Sequence, residues 1–427
     1  MESLDLKDFA PIELPRFLKI RQNFNRHKID KKDIPAVVRK QMEPHMKNFD
    51  GKRIAVGVGS RGVANIAVIT RAVIDNLKKA GARPFIIPAM GSHGGATPEG
   101  QAEVLDGYGI NEKNMGCQIN ASMEVEKLGD IEPGYPVYVA KSALEADGIV
   151  IIPRIKPHTC FRGSIESGIC KMLVIGLGKR VGADSVHSHG FITFSKYIPL
   201  IGQMIAEKTQ VLFAVAIIEN AFEDTCKIEV VAKDEIVSLD REKKMLEESR
   251  ALMGKLLFDK FDVLIMDEIG KDVSGDGQDG NVTGLFIPKF MHGGPDFQES
   301  TVLDVTPESH GNANGVGLVD VTTRKLFDKI DYKSMYTNVF TSTEIKSAKI
   351  PMVAATSEDA IRMVVKMCNS VAPKQQKIVW IKNTLELTEL LISEPLLTEA
   401  KKNPQIDILT EAKELIFVAG EPEKKLL

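Results

Sequence analysis

The sequence contains no run of roughly 18 uncharged apolar residues, so no stretch has the length and apolarity of a membrane-spanning helix. Its five cysteines, Cys117, Cys160, Cys170, Cys226 and Cys368, are odd in number and form no Cys-x-x-Cys pair. Neither a disulfide framework nor a zinc ribbon is indicated, and a reducing compartment is expected. Charge of one sign is lacking too. Lys plus Arg number 55 against 58 Asp plus Glu, a formal charge of -3, which argues against a protein that coats nucleic-acid phosphates and leaves a small-molecule partner. The opening residues, MESLDLKDFAPIELPRF, have neither the basic start nor the apolar stretch of a secretory signal. A soluble cytoplasmic protein is expected, with no membrane and no nucleic acid among its partners. Internal repeats with periods of about 20 to 50 residues and low-complexity tracts are likewise missing.

What is present is an alternation of short β-branched runs and helical patterns. Arg53 to Val58 (RIAVGV) reads as a strand and is followed by a small-residue loop, Gly59 to Gly62. From about Asn65 to Ala80, Ile66, Ile69, Val73 and Leu77 recur on one helical face, Lys78 and Lys79 suit the C-terminal dipole, and Gly81 ends the helix. Pro84 to Pro88 is the next strand. A strand-helix-strand unit of this spacing predicts parallel pairing, and a parallel sheet presents its ligand loops at the carboxyl ends of its strands. The loop Gly91 to Thr97 (GSHGGAT) falls at such an end. Further apolar runs at Gly148 to Ile152, Val211 to Ile218 and Val263 to Met266 extend the pattern to a doubly wound, mostly parallel α/β domain.

Beyond a charged amphipathic helix, Asp240 to Leu257, the composition turns glycine-rich around Gly270 to Gly284. A domain boundary is placed near Phe258, giving domains 1-258 and 259-427, both α/β. The second carries strands at Ser300 to Val305 and Lys377 to Ile381 and a helix near Glu358 to Cys368. Ile408 to Val418 has a helix-compatible start and an apolar end, and is expected to pack back on the first domain.

Of only eight histidines, His93, His158, His187 and His189 lie in glycine-bearing or polar stretches between elements. His93, flanked by glycines, either fills a turn by bonding the backbone or turns its ring to a ligand. The segment Ile152 to Lys179 gathers Arg154, Lys156, His158, Cys160, Arg162, Glu166, Cys170, Lys171 and Lys179. Proline after Lys156 holds the backbone extended before His158. Lys171 stands among Ile169, Met172, Leu173 and Val174. Its amine is either partly desolvated and nucleophilic, or at the tip of a stem that snorkels to solvent. His187 and His189, two apart, share a face on a strand; on a loop either can bind a metal.

Three other stretches carry weaker signals. Ser274 to Gly284 (SGDGQDGNVTG) resembles a calcium loop in composition, but its spacing does not match, and a loop facing the cleft is expected. His310 to Thr323 can hold an anion on backbone amides or serve as a hinge. Gly57-Val58-Gly59-Ser60-Arg61-Gly62 completes a G-x-G-x-x-G, yet no acidic residue follows the next strand where a dinucleotide site needs one.

Together, the loop after the first strand, GSHGGATPE from Gly91, the KPH at Lys156, the lysine in GICKMLVIG and the later histidine pair resemble the lactate racemase family over residues 50 to 220. The resemblance implies two α/β domains around a cleft, the first of which holds the cofactor and the reacting groups. The cofactor implied is a nickel-pincer nucleotide, a pyridinium-3,5-bisthiocarboxylic acid mononucleotide of nickel made by dedicated biosynthesis enzymes, which are then partners. On this likeness Lys171 matches the tethering lysine, and His93 and His158 match the acid/base pair. Nickel falls to His187 or His189, with His187 preferred. Ser60 and Arg61 stand where the family carries an Asp-x-Thr-Arg for phosphate and carboxylate. The implied reaction is racemisation or epimerisation of a 2-hydroxy acid by hydride abstraction and return, with one base for each face of the carbon. The alternatives are an NAD-type oxidoreductase using the glycines at 57 to 62 with His158, and a nucleotide or hydroxy-acid sensor that has lost the tether.

Overall fold

The computed structural model describes residues 6, 9-46, 49-60, 62-342 and 344-423. The chain divides into two compact units, Asn25–Met253 and Met1–Phe24 with Gly254–Leu427. Strand β1 (Phe17–Gln22) belongs to the second of these.

The first unit is built on β2 (Arg53–Val58), β3 (Arg83–Pro88), β6 (Gly148–Ile152), β7 (Val211–Glu219) and β8 (Thr225–Ala232), with a separate hairpin of β4 (Val125–Asp130) and β5 (Pro136–Ala140). The main sheet has the order β3-β2-β6-β7-β8, parallel except for the antiparallel β7-β8 edge. Parallel neighbours require a crossover, and the helix Ile66–Lys79 supplies the first one, burying Ile66, Ile69, Val73 and Leu77. Alternation along β2 sorts the core into two layers. Ile54, Val56 and Val58 pack with that helix and with Ile34, Val38 and Met42 of the helix Ile34–Met42. Ala55 faces the other way, with Ile149, Ile151, Leu173, Ile198 and Ile205. Each fully buried Ile, Leu or Val stabilises the fold by roughly 1.5 to 3 kcal/mol. Gly57 lies inside β2, where a Cβ would come within 3.0 Å of Ile151 and 3.3 Å of Ala89. Its lack of a side chain therefore serves sheet packing.

The second unit is a mixed eight-stranded sheet. Its strands are β9 (Val263–Ile269), β10 (Glu299–Val305), β11 (Val321–Thr323), β12 (Met352–Ala354), β13 (Ile378–Ile381), β14 (Glu389–Ser393) and β15 (Ile406–Ile408), together with β1. Their order is β12-β11-β10-β9-β13-β14-β1-β15. The strands from β12 to β13 are parallel, and β14, β1 and β15 add antiparallel pairs. The helix Ser357–Met367 buries Ala360, Ile361, Val364 and Val365 against this sheet. Trp380 is buried in β13, its indole N–H donating to Asp267 Oδ1 at 2.6 Å, with Phe17 edge-on at 5.9 Å.

Two expectations are corrected here. The chain divides at Gly254, close to the anticipated Phe258, but its first 24 residues leave the first unit because Phe17 to Arg21 pair with Glu389 to Ser393. The segment from Ile408 is not helical. It continues from β15, which pairs with β1, and ends in the short hairpin of Phe417–Val418 and Glu421–Pro422.

Candidate functional site

In the first unit β3 lies on one side of β2 and β6 on the other. The loops leaving β2 and β6 therefore part at a topological switch point, the place where open α/β sheets bind ligands. Ser60 follows β2, His93 follows β3 and His158 follows β6. Arg61 lies outside the described residues.

The His93 loop turns on Gly91, Gly94 and Gly95, all at φ between 61° and 65°. At Gly94 a Cβ would come within 2.6 Å of the Gly100 backbone, so glycine is required for the close approach. His93 is exposed, and its Nδ1 shares a 2.5 Å hydrogen bond with the Ser60 hydroxyl. The Tyr108 hydroxyl donates to the Ser60 carbonyl at 2.6 Å and steadies that loop from below.

The His158 loop is organised by Glu166, a carboxylate with no exposed side-chain surface. It accepts from the backbone N–H of His158 at 2.6 Å and of Gly163 at 3.1 Å, and from Arg250 at 2.5 Å. The Cys160 N–H donates to His158 Nδ1 at 2.9 Å. A backbone N–H can only donate, so neutral His158 carries its own proton on Nε2.

Lys171 is half-buried and closes a one-turn helix, Ile169–Lys171, that runs into a π-turn, Met172–Gly176. Beneath it lies Glu242, 1% exposed, whose two carboxyl oxygens accept from the Cys170 N–H at 3.2 Å. Gly168 makes room for that carboxyl group, because a Cβ there would sit 2.3 Å from Glu242 Oε1. Burial pushes the Glu242 pKa up to about 7.

His187 ends the helix Lys179–His187 and its Nδ1 donates to the Ala183 carbonyl at 2.7 Å. The lone pair of the neutral ring is therefore on Nε2. Phe191 and Phe194 pack edge-on at 5.5 and 5.1 Å. Although part of its surface is exposed, desolvation of the ring by these neighbours lowers its pKa, and the Lys171 charge lowers it further. His189 goes elsewhere: its ring stacks on Tyr135 at 3.9 Å. The segment is a helix terminus and not a strand, so the two imidazoles do not share partners.

These loops converge on the helical run from Lys171 to His187. His158 and His187 both lie against Phe191, at 6.2 and 5.5 Å. A Cβ on Gly59 would meet Met172 Cε at 3.1 Å, and one on Gly91 would meet Ile175 at 3.1 Å and Ala183 at 3.6 Å. Among the described residues no group of three or more His, Cys, Asp or Glu side chains is arranged to hold a metal ion. The Nε2 lone pair of His187 is a single candidate ligand atom.

Sequence reasoning assigned no role to Lys179, Gln101 or Glu242. Lys179 and Gln101 are fully buried, and the ammonium donates to the Pro88 carbonyl at 2.7 Å and to Gln101 Oε1 at 3.2 Å. The periodicity of Glu242 with Met245, Leu246 and Ser249, all buried on one face, is the signal that marks it. The glycines at 57 to 62 do not form a turn opening directly into a helix, since the helix starts at Ile66 after Asn65 at φ 60°.

The fold is that of a two-unit α/β protein, with the candidate site at the strand-end loops of its first sheet. Residues 39–196 match the family described as lactate racemase N-terminal domain. The similarity is confined to that segment, which is less than half of the chain. The solved structure of the lactate racemase apoprotein from Thermoanaerobacterium thermosaccharolyticum is similar over 90% of this chain and 96% of that one, with a TM-score of 0.51 and 13% identity. At that identity the likeness shows the fold. No curated protein matches. Among the described residues no helix is long and apolar enough to cross a membrane.

Proposed function

We propose that the chain is an isomerase, a racemase or epimerase of a 2-hydroxy acid, working with a nickel-pincer nucleotide. The observation that carries this reading is the convergence of the loops after β2, β3 and β6 on the helical run from Lys171 to His187, where Gly59 lies against Met172, Gly91 against Ile175 and Ala183, and His158 and His187 against Phe191, inside the segment that matches the lactate racemase N-terminal domain. Lys171 is the residue to carry the cofactor, and His187 the residue to hold nickel through Nε2. When bound, the cofactor supplies a hydride acceptor and donor.

The chain's own residues then handle the hydroxyl proton. His93 can take it on Nε2 in the tautomer whose Nδ1–H donates to the Ser60 hydroxyl. His158 starts as an Nε2–H donor, and acts as a base only once Nδ1 has released the Cys160 N–H. The two imidazoles are thus unequal in the resting protein. Ser60 and Arg61 are the residues expected at the anionic end of the cofactor or substrate. The substrate is a small 2-hydroxy acid, the cofactor-making enzymes are the required partners, and the cytoplasm is the compartment.

The test is intact-mass spectrometry of protein produced together with the cofactor-making enzymes, followed by peptide mapping and chiral analysis of 2-hydroxy acids. The expected result is an adduct on Lys171, about one nickel per chain, and interconversion of enantiomers or epimers. Protein from such cells carrying neither adduct nor nickel sinks the reading.

A further inference from the structure

Lys179 places two costs on one residue. It has φ 54°, a left-handed conformation that a residue with a Cβ adopts at a penalty of roughly 1 kcal/mol, and its ammonium is fully buried. Burial is the cause that displaces its pKa, to about 8. An apolar side chain of the same length would avoid the second cost, so the ammonium is retained for what its donors do.

Those donors lead to His93. Lys179 Nζ donates to Pro88 O, the last residue of β3, at 2.7 Å and to Gln101 Oε1 at 3.2 Å. The other end of the same amide, Gln101 Nε2, donates to Gly91 O at 2.9 Å and to His93 O at 3.2 Å. An ammonium on one side and two carbonyls on the other leave a single favourable orientation for that amide. We propose that Lys179 is a positioning residue for His93, acting through Gln101 to hold the Gly91 to Thr97 loop in the shape that sets the imidazole on Ser60. The proposal rests on the reading of His93 as a working imidazole and adds to it a link that comes from the far side of the cofactor-bearing segment. Lys179 opens the helix that ends in His187, so one helix would fix both the metal-holding ring and the proton-transferring one.

The test uses the full-length apoprotein, 15N-labelled, as wild type, Lys179→Met and Gln101→Leu. Imidazole two-bond correlation spectra report which nitrogen of His93 is protonated. Amide exchange at Ala96, whose N–H donates to His93 O at 3.3 Å, reports loop order, and far-UV circular dichroism verifies the fold. In both variants the His93 ring signals should move toward those of an unrestrained histidine and Ala96 exchange should quicken about tenfold, with the His187 signals unmoved. A folded Lys179→Met protein with unchanged His93 signals and unchanged Ala96 exchange overturns the proposal. If Lys179→Met does not fold, Gln101→Leu decides by the same two readings, since it cuts the chain at its second link. Neither measurement needs cofactor or turnover. An unmodified Lys171 in co-produced protein removes the racemase reading and leaves this result standing, while an unmoved His93 removes the Lys179 link and leaves the racemase reading.

Discussion

Both sheets send the carboxyl ends of parallel strands into glycine-rich loops, yet they furnish those ends differently. In the second unit the acids are closed off by nearby donors. Asp272 accepts from Thr306 at 2.5 Å and Ser309 at 3.2 Å, Asp304 pairs with Lys325 and Lys329 at 2.9 and 2.6 Å, and Glu268 accepts from Asn383 at 2.9 Å. In the first unit two ionisable groups are buried against the direction of charging, Glu242 up to about 7 and Lys179 down to about 8. The second unit's desolvated groups, Glu299 and Glu344 pushed up and Lys346 pushed down, are only partly buried; desolvated charge reduces stability, and under the proposed function the fully buried pair of the first sheet supports its chemistry.

The sharpest way to break that contrast lies in the two neighbouring imidazoles. Under the proposed function, His187→Ala should lower nickel retained by co-produced protein at least ~10-fold, measured by metal analysis after desalting. His189→Ala, which removes a ring stacked on Tyr135, should leave nickel unchanged. Equal losses in the two variants would return the metal to the pair.

Next in size are two opposite pH dependences of stability. The unfolded chain releases the Glu242 proton near 4.5 and the folded chain near 7. The folded state therefore binds the extra proton between those values, and its stability is fully present below pH 4.5 and falls as pH rises to 7. Lys179 runs the other way. The folded chain loses that proton near 8 and the unfolded chain near 10.5, so stability is lowest below pH 8 and recovers toward 10.5. Each displacement amounts to about 3 kcal/mol. Denaturant midpoints across pH should show both slopes, with Glu242→Gln flattening only the acidic one and Lys179→Met only the alkaline one. A Glu242→Gln profile that still falls between pH 4.5 and 7 would assign the slope to another group.

Much of the first sheet was legible because its signals are local. The 3.6-residue recurrence of Ile66, Ile69, Val73 and Leu77 and the β-branched run at Arg53 to Val58 declare themselves within a few turns of chain. The place of β1 was not. The partners of Phe17 to Gln22, Glu389 to Ser393 and Ile406 to Ile408, are separated from it by most of the sequence. No period within the segment names them. Among site residues, glycine context singled out His93 and the Lys-Pro-His order His158, whereas Lys179 and Gln101 act through bonds across three elements, which spacing does not encode. Glu242 was half legible: its charge hid it in DREKKMLEESR, and only its register with Met245 and Leu246 placed it inward.

Glu166 tests the contrast at intermediate size. Its carboxylate holds the His158 and Gly163 N–H groups together with Arg250. In Glu166→Gln one of the two backbone donors meets an NH₂ group. A loss of about 2 kcal/mol is expected, read as a lower denaturant midpoint, and the His158 imidazole signals should broaden or shift. A midpoint within error of wild type would mean that the loop is held by its packing and not by the carboxylate.

The smallest effect belongs to the second unit. Asp279 caps the single turn Gly280–Thr283, accepting from Asn281 N at 2.9 Å and Asn281 Nδ2 at 2.8 Å, and its own N–H donates to Thr384 at 3.0 Å. Asp279→Ala removes the cap and leaves the backbone bond to Thr384, so about 1 kcal/mol should be lost, the usual worth of a cap. Because this acid lies in the second unit, nickel content and the His93 spectrum should not change. A drop in nickel content in Asp279→Ala, at a stability cost no greater than that, would mean that the second sheet's loops also serve the site and that the division of labour drawn between the two sheets is wrong.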